Sequence, residues 1–352
     1  LRGVNFGGWF SQHDAIEGND PGAYPGLVEH ARAFLGPEDF RRVKAWGFDH
    51  VRLPVDWQNV FEPGSLAPRE DVLSLLDAAV DGLLGEGLEV ILDLHKCPGH
   101  DFHDGTKREQ AFFTDPAMRR DCLLVWSHLA RRYGARRGVL LEILNEPVAP
   151  SWAVWNEVQA ELAVALRRLA PEATLVLGSN LWNGAAGFEH LAPVADENVL
   201  YSFHFYNPLV FTHQRAPWID GEAFHARRPY PGTYELPAGS TNRLPLEAGR
   251  WDKARLAQLL EHVFRFRERH GARVACNEFG VYVGGPDRAS QLAWMRDMLE
   301  LLGEHGIGWS YWNYKNLDFG LVSRGEGRFA DAPQYQNAER VDRELVELLR
   351  AH

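Results

Sequence analysis

The run Val90-Ile91-Leu92-Asp93-Leu94, closed by His95, decides the fold. Its apolar residues do not alternate with polar ones. A strand with one wet face alternates, whereas a strand covered on both faces does not, and such strands belong to parallel sheets with helices packed over them. The residues before the run agree. Val72, Leu75, Leu76, Ala79 and Leu83 keep one stripe at helical spacing, and Gly87 follows where a left-handed C-terminal residue is wanted.

Outward from this unit the same alternation recurs. Gly3-Val4-Asn5-Phe6 and His50-Val51-Arg52-Leu53 precede it. Leu140-Leu141-Glu142-Ile143-Leu144, Thr174-Leu175-Val176-Leu177, Val199-Leu200-Tyr201-Ser202-Phe203, Arg273-Val274-Ala275-Cys276 and Gly308-Trp309-Ser310-Tyr311 follow, giving eight strand-like runs in all. Between them lie helical stripes: Trp155, Val158, Leu162, Leu166 and Leu169; Leu256, Leu259, Leu260 and Val263; Leu292, Met295, Leu299 and Leu302. Asp115-Pro116 reads as an N-cap followed by proline at the first helical turn, and Gly47 and Gly271 as helix stops. Strand and helix repeated eight times predict one α/β domain over residues 1–352, a (β/α)8 TIM barrel, which typically needs about 250 residues plus insertions. The competitor is an open doubly wound sheet binding a dinucleotide. It would carry a glycine-rich phosphate turn after its first strand, a fingerprint that Gly3-Val4-Asn5-Phe6-Gly7-Gly8 does not fit. One segment breaks the rhythm. Residues 207–250, after the sixth strand, are rich in Pro, Gly, Tyr and Arg with little helical period. A long insertion of this kind is usually functional. It is expected to wall the site, with Trp218, Tyr230 and Tyr234 as candidate sugar contacts, each weighed against inert packing.

Composition narrows the function. The net charge is −11, from 37 Lys+Arg and 48 Asp+Glu. That balance speaks against a nucleic-acid partner, which would want a basic stripe, and against an anionic membrane surface. No apolar run approaches a membrane span. Twelve tryptophans exceed the usual need of such a core, and a flat indole suits the apolar face of a sugar ring. Cys97, Cys122 and Cys276 are too few for a disulfide framework, leaving at most one bridge. The first residues do not read as a secretory leader. The compartment stays open, and a monomer is expected.

Chemistry in such a barrel sits at the C-terminal ends of the strands. The residues there are Arg52-Leu53-Pro54, Asp93-Leu94-His95, Leu144-Asn145-Glu146-Pro147, Phe203-His204-Phe205-Tyr206, Cys276-Asn277-Glu278-Phe279-Gly280 and Tyr311-Trp312-Asn313-Tyr314-Lys315. Two carboxylates, Glu146 and Glu278, thus face one mouth from opposite sides. Glycoside hydrolysis needs such a pair. Carboxyl groups roughly 5–5.5 Å apart let one act as nucleophile and the other as acid and then base, while roughly 6.5–9.5 Å leaves room for a water and inverts the anomeric centre. Asp93 and Glu142 lie deeper in their strands and read as structural.

From Asn5 to Lys315 these motifs resemble glycoside hydrolase family 5, the cellulase-like family of retaining β-glycosidases. The resemblance rests on Ile143-Leu144-Asn145-Glu146-Pro147, Asn277-Glu278-Phe279-Gly280, Arg52 before Leu53-Pro54, and His204-x-Tyr206. It implies Glu146 as acid/base and Glu278 as nucleophile. Asn145 would bond the sugar 2-hydroxyl, and Arg52 and Tyr206 would contact Glu278. His204 would lie near the acid, His95 would line the cleaved sugar's subsite, and Trp312 would form its floor. The third-strand motif departs from the family pattern: His95 is followed by Lys96 where a second histidine is usual. The implied substrate is a β-linked glucoside or β-1,4-glucan. Mannans and exo-action on oligosaccharides are the alternatives. No cofactor is expected. His100, Asp101, His103 and Asp104 lack a recognised ligand spacing, so they read as a polar rim and no metal is expected either. A carbohydrate-binding barrel without activity would lack one of the two glutamates. A phosphosugar isomerase or aldolase would want a better phosphate turn than Val283-Gly284-Gly285.

Overall fold

The computed structural model describes residues 1–12, 26–101, 111–219, 221–238, 240, 248–323 and 331–352. In chain order the strands are β1 (Arg2–Asn5), β2 (His50–Asp56), β3 (Glu89–Lys96), β4 (Val139–Glu142), β5 (Thr174–Gly178), β6 (Val199–Phe205), β7 (Gly232–Tyr234), β8 (Gly249–Trp251), β9 (Arg273–Phe279) and β10 (Gly308–Tyr311). Eight of them close into a parallel cylinder in the order β1-β10-β9-β6-β5-β4-β3-β2. The expected (β/α)8 barrel is therefore what the chain forms, and β7 and β8 form a separate antiparallel ribbon inside the insertion.

The longer helices are α1 (Leu27–Ala33), α2 (Pro37–Ala45), α3 (Glu70–Gly85), α4 (Pro116–Tyr133), α5 (Trp152–Leu169), α6 (Lys253–His270), α7 (Arg288–Glu304) and α8 (Arg343–Ala351). Their apolar stripes bury as the spacing requires. α3 buries Val72, Leu73, Leu76, Ala79, Val80 and Leu83, and α5 buries Trp155, Val158, Leu162 and Leu166. Gly47, Gly87 and Gly271 have φ of +85°, +72° and +60°, the left-handed stops read from the sequence. Asp115 caps α4 by accepting a hydrogen bond from the Ala117 amide at 2.8 Å, with Pro116 at the first turn. Asp115→Ala should therefore lower the unfolding free energy by about 1 kcal/mol, read from the denaturant midpoint at unchanged slope.

The tryptophans divide. Trp126, Trp155, Trp251 and Trp294 are fully buried. Trp126 and Trp155 hold the helices against the barrel by donating to strand-end carbonyls, Ile143 at 3.0 Å and Gly178 at 2.9 Å. Much of the tryptophan excess is thus core. Ile91, Val176, Leu200 and Ala275 form a separate small apolar cluster contributed by four barrel strands. All three cysteines are buried free thiols, so the single bridge left open by their number is not made.

Two details differ from the sequence reading. β2 does not stop at Pro54 but runs to Asp56, so Arg52 stands within the strand rather than at its end. A proline is tolerated there because β1, the neighbour on one side, has already ended opposite Arg52. The insertion is also not without structure. Tyr230 and Tyr234 are 3% and 2% exposed, and their hydroxyls donate to Asp297 and to the Pro229 carbonyl. They pack the insertion against the barrel and are not free to meet sugars. Trp218 remains exposed.

Candidate active site

Arg52 is the hub of the barrel mouth. Its side chain is fully buried, and burying a guanidinium is costly unless it is paired and hydrogen-bonded. Here it is surrounded. Nε donates to Glu142 Oε2 at 2.7 Å and Nη2 to Glu142 Oε1 at 2.9 Å. Nη2 also meets Asp93 Oδ2 at 2.9 Å and Asn145 Oδ1 at 2.8 Å, while Nη1 meets Glu278 Oε1 at 2.6 Å and Asn5 Oδ1 at 2.9 Å. One cation thus sits among three buried carboxylates, and its pKa is pushed further up, burial opposing and the three acids overcoming it. Burial raises Asp93 and Glu142 each to about 7 against the pull of Arg52. These two acids read from sequence as structural. Their partner places them directly behind the site.

Glu278, the last residue but one of β9, sits in a polar cradle. Besides Arg52, the Tyr206 hydroxyl donates to its Oε2 at 3.0 Å. It stands opposite His204 in the ladder, where the register between β6 and β9 shifts at Phe203/His204. The shift is a bulge on β9 that lets both Asn277 and Glu278 serve the interior, Asn277 Nδ2 donating to Glu142 Oε1 at 2.8 Å. Burial lifts the pKa of Glu278, and Arg52, then His95, pull it back.

Glu146 follows β4 and, among the described residues, has no direct cationic partner. Its pKa is raised well above the carboxylate range, first by burial and then by the charge of Glu278. His204 Nδ1 lies 2.8 Å from its Oε1 and 3.5 Å from Glu278 Oε2. Burial, with the Arg52 charge behind it, keeps His204 neutral. The backbone of Glu146 is left-handed, φ 44°, a conformation that costs a residue with a Cβ about 1–2 kcal/mol. One oxygen of each glutamate and a His204 nitrogen all lie within 4.8 Å of one another. Those three are the donors a cation would use. Glu278 already gives one oxygen to Arg52 and the other to Tyr206, so it has little left for a metal.

The remaining expected residues gather at the same mouth. Asn145 Nδ2 is buried with no partner among the described residues, because Arg52 fixes the other end of the amide. His95 Nδ1 lies 2.6 Å from Asp93 Oδ2, and its ring stacks parallel on Trp312, 5.9 Å between centroids. A Cβ at Gly7 would sit 2.5 Å from the Trp312 ring, so the glycine that failed as a phosphate turn is there to admit the indole. Lys96, at the position of the missing second histidine, pairs with Asp101 at 2.8 Å. His103 and Asp104 lie outside the described residues. His100 Nε2 lies 3.3 Å from the Asn145 carbonyl, and burial lowers its pKa to about 4. Sequence reasoning missed Asn5, and it missed Trp182, whose amide donates to the carbonyl of Pro147 at 3.2 Å beside the acid.

Known proteins resemble this chain. Endoglucanase C of Acetivibrio thermocellus is 32% identical over 331 residues, 91% of this chain and 93% of that protein. Cellodextrinase A of Ruminococcus flavefaciens is 30% identical over 309 residues, covering 87% and 83%. The solved structure of Thermotoga maritima Cel5A in complex with mannotriose superposes with a TM-score of 0.74 over 99% of this chain and 96% of that one, at 22% identity, and shares the fold. Residues 30–318 match the Cellulase family, and the chain belongs to glycosyl hydrolase family 5.

Proposed function

We propose that the chain hydrolyses β-1,4-linked glucan or its oligosaccharides with retention, Glu278 acting as nucleophile and Glu146 as acid/base. One observation carries the reading. One oxygen of each carboxylate lies within 4.8 Å of the other, near the roughly 5–5.5 Å of retaining pairs and short of the roughly 6.5–9.5 Å of inverting ones. Their surroundings divide the roles. Arg52 and Tyr206 favour the ionised form of Glu278 against its burial, whereas Glu146, buried beside that charge and with no direct cationic partner among the described residues, keeps its proton.

Glu278 attacks the anomeric carbon while Glu146 protonates the departing oxygen. The ester that forms has no charge, so the part of the rise at Glu146 that came from the Glu278 charge disappears while that from burial stays, and Glu146, its pKa lowered, becomes the base that activates water. His204 orients Glu146, and the Asn145 amide donates to the sugar 2-hydroxyl. His95 and Trp312 form the wall and floor of the cleaved sugar's subsite. The relatives' names, an endoglucanase and a cellodextrinase, support the glucan substrate. The pairing of β1 with β10 supports residues 1–352 as a single catalytic unit.

The test is a panel of aryl β-glucosides, aryl β-mannosides, cello-oligosaccharides and mannan, with the first-formed anomer read by proton NMR and products resolved by size. The expected result is β-anomer from cello-oligosaccharides. First-formed α-anomer would overturn the mechanism, and turnover of the mannosides alone would overturn the substrate.

A further inference from the structure

We propose that His100 is a positioning residue for the general acid: its ring holds the peptide that precedes Glu146 and so keeps the acid's backbone in the left-handed conformation that aims its carboxyl at the cleaved bond. The inference rests on the reading of Glu146 as acid/base above and extends it to a residue behind the site.

Glu146 has φ 44° and is followed by Pro147. Both facts count against its conformation. A Cβ makes the left-handed region costly, and a residue before proline is largely confined to extended backbone. Such a conformation persists only where its surroundings over-determine it. Here the Asn145 amide donates to the Leu94 carbonyl at 3.1 Å, and the Trp182 amide donates to the Pro147 carbonyl at 3.2 Å. His204 holds the carboxyl at 2.8 Å. His100 adds a further tether, its Nε2 lying 3.3 Å from the Asn145 carbonyl. That carbonyl and the Glu146 N–H share one peptide plane, so pinning it fixes one side of the φ torsion. Leu94 and Trp182 act through main chain, and His204 belongs to the reacting cluster. His100 is therefore the tether that a substitution can cut without touching the catalytic groups.

The sequence delivers the ring to this place. Cys97-Pro98-Gly99-His100 has the form of a type II turn, with proline at its second position and Gly99, φ +78°, at its third. The Cys97 and His100 main chains bond each other both ways, at 3.2 and 2.9 Å. The Phe112 amide donates to the Gly99 carbonyl at 3.0 Å, and a Cβ on Gly99 would lie 2.8 Å from Met118 Cγ, so the turn is seated tightly on the helices that follow. The His100 ring packs on Phe113 at 5.4 Å and Phe112 at 6.4 Å and is only 3% exposed, which makes it a buried strut and not part of a polar rim. Burial also keeps it neutral near pH 7. A neutral imidazole has one N–H and a carbonyl can only accept, so that N–H is on Nε2.

The experiment measures kcat/KM for cellotetraose and for a dinitrophenyl β-cellobioside in the intact chain, His100→Phe, His100→Gln and Glu146→Ala, with thermal melting alongside. Both values report formation of the glycosyl-enzyme, a step that needs the acid only when the leaving group is a sugar. His100→Phe fills the space without a donor and should lower the value for cellotetraose about tenfold, the scale of one buried hydrogen bond left unmade, while changing that for the dinitrophenyl substrate about twofold or less. His100→Gln restores an N–H and should recover most of the loss. Equal losses on both substrates with a lowered melting temperature mark a packing role and overturn the proposal. So does an undiminished value for cellotetraose, or a His100→Gln variant no better than His100→Phe. Should the phenylalanine variant not fold, His100→Met, flexible and without a donor, carries the same comparison. Glu146→Ala distinguishes this proposal from the reading beneath it. If that variant loses equally on both substrates, the acid assignment fails and the proposal with it. If it separates the substrates and His100→Phe does not, the positioning role alone fails.

Discussion

Glu278→Ala is expected to lower kcat on β-glucosides by on the order of 10⁴-fold or more, as loss of a nucleophile does in enzymes whose groups act as a unit. No neighbour can replace it. Glu142 and Asp93 are the nearest other acids on Arg52, and both are fully buried behind it. The truncation opens a space on the face opposite the leaving group, lined by Arg52 and Tyr206, both donors that suit an anion. Azide with an activated aryl β-glucoside should therefore restore turnover and yield an α-glycosyl azide, identified by NMR, because one displacement inverts once. The fold should survive. Removing one of three acids around a single guanidinium reduces an excess of buried negative charge, so the melting temperature should stay close to that of the parent. Near-native hydrolysis by this variant would remove Glu278 from the mechanism.

Glu146→Ala should separate substrates by their leaving groups. For cello-oligosaccharides, whose leaving oxygen needs a proton, kcat should fall by about 10²–10⁴-fold. For a dinitrophenyl glucoside the first step needs no acid, so a burst of phenol should precede slow release of the glycosyl-enzyme. Azide should then give a β-glycosyl azide. The pH profile carries the second signature. Glu146 has its pKa raised by burial and by Glu278, so the parent acts on unactivated substrates while Glu146 is protonated and loses activity as pH rises through that raised value. The variant should lose this basic limb. Stability should move the other way. A buried carboxyl with a raised pKa stabilises the fold least once pH exceeds that value, and the left-handed backbone at Glu146 adds strain. Gly in place of Glu146 relieves both, so it should melt higher than the parent near neutral pH. Equal losses on good and poor leaving groups would argue against Glu146 as the acid.

Much of this site is legible in the chain because it is local. Asn145-Glu146 and Asn277-Glu278 each close an apolar run, and a run of residues that does not alternate says where a buried strand ends. The Asp115 cap and the left-handed glycines are likewise settled within a turn. What stayed hidden is long-range. Glu142 and Arg52 are 90 residues apart, and nothing near either one shows that a guanidinium will need three acids. His95 was expected at the subsite wall, but its tie to Asp93 and its stack on Trp312 needed the closed barrel to appear. Tyr230 and Tyr234 misled for the converse reason. A stretch rich in Pro and Gly looks like bare loop, yet the β7–β8 ribbon gives it an interior of its own, and aromatic rings fill it.

The extra residue carried by β9 opposite β6 sets Glu278 against His204, the histidine that holds Glu146, by counting backbone units rather than by the shape of any loop. Loops beyond the strand ends, the short run from Glu142 to Glu146 apart, can therefore lengthen, shorten or exchange aromatic rings without moving one glutamate relative to the other. A deletion of one residue within 273–279 would rotate Glu278 out of the cylinder and end the reaction outright. Substrate range in this scaffold is free to drift at the rim, while the reaction itself is held or lost as a whole.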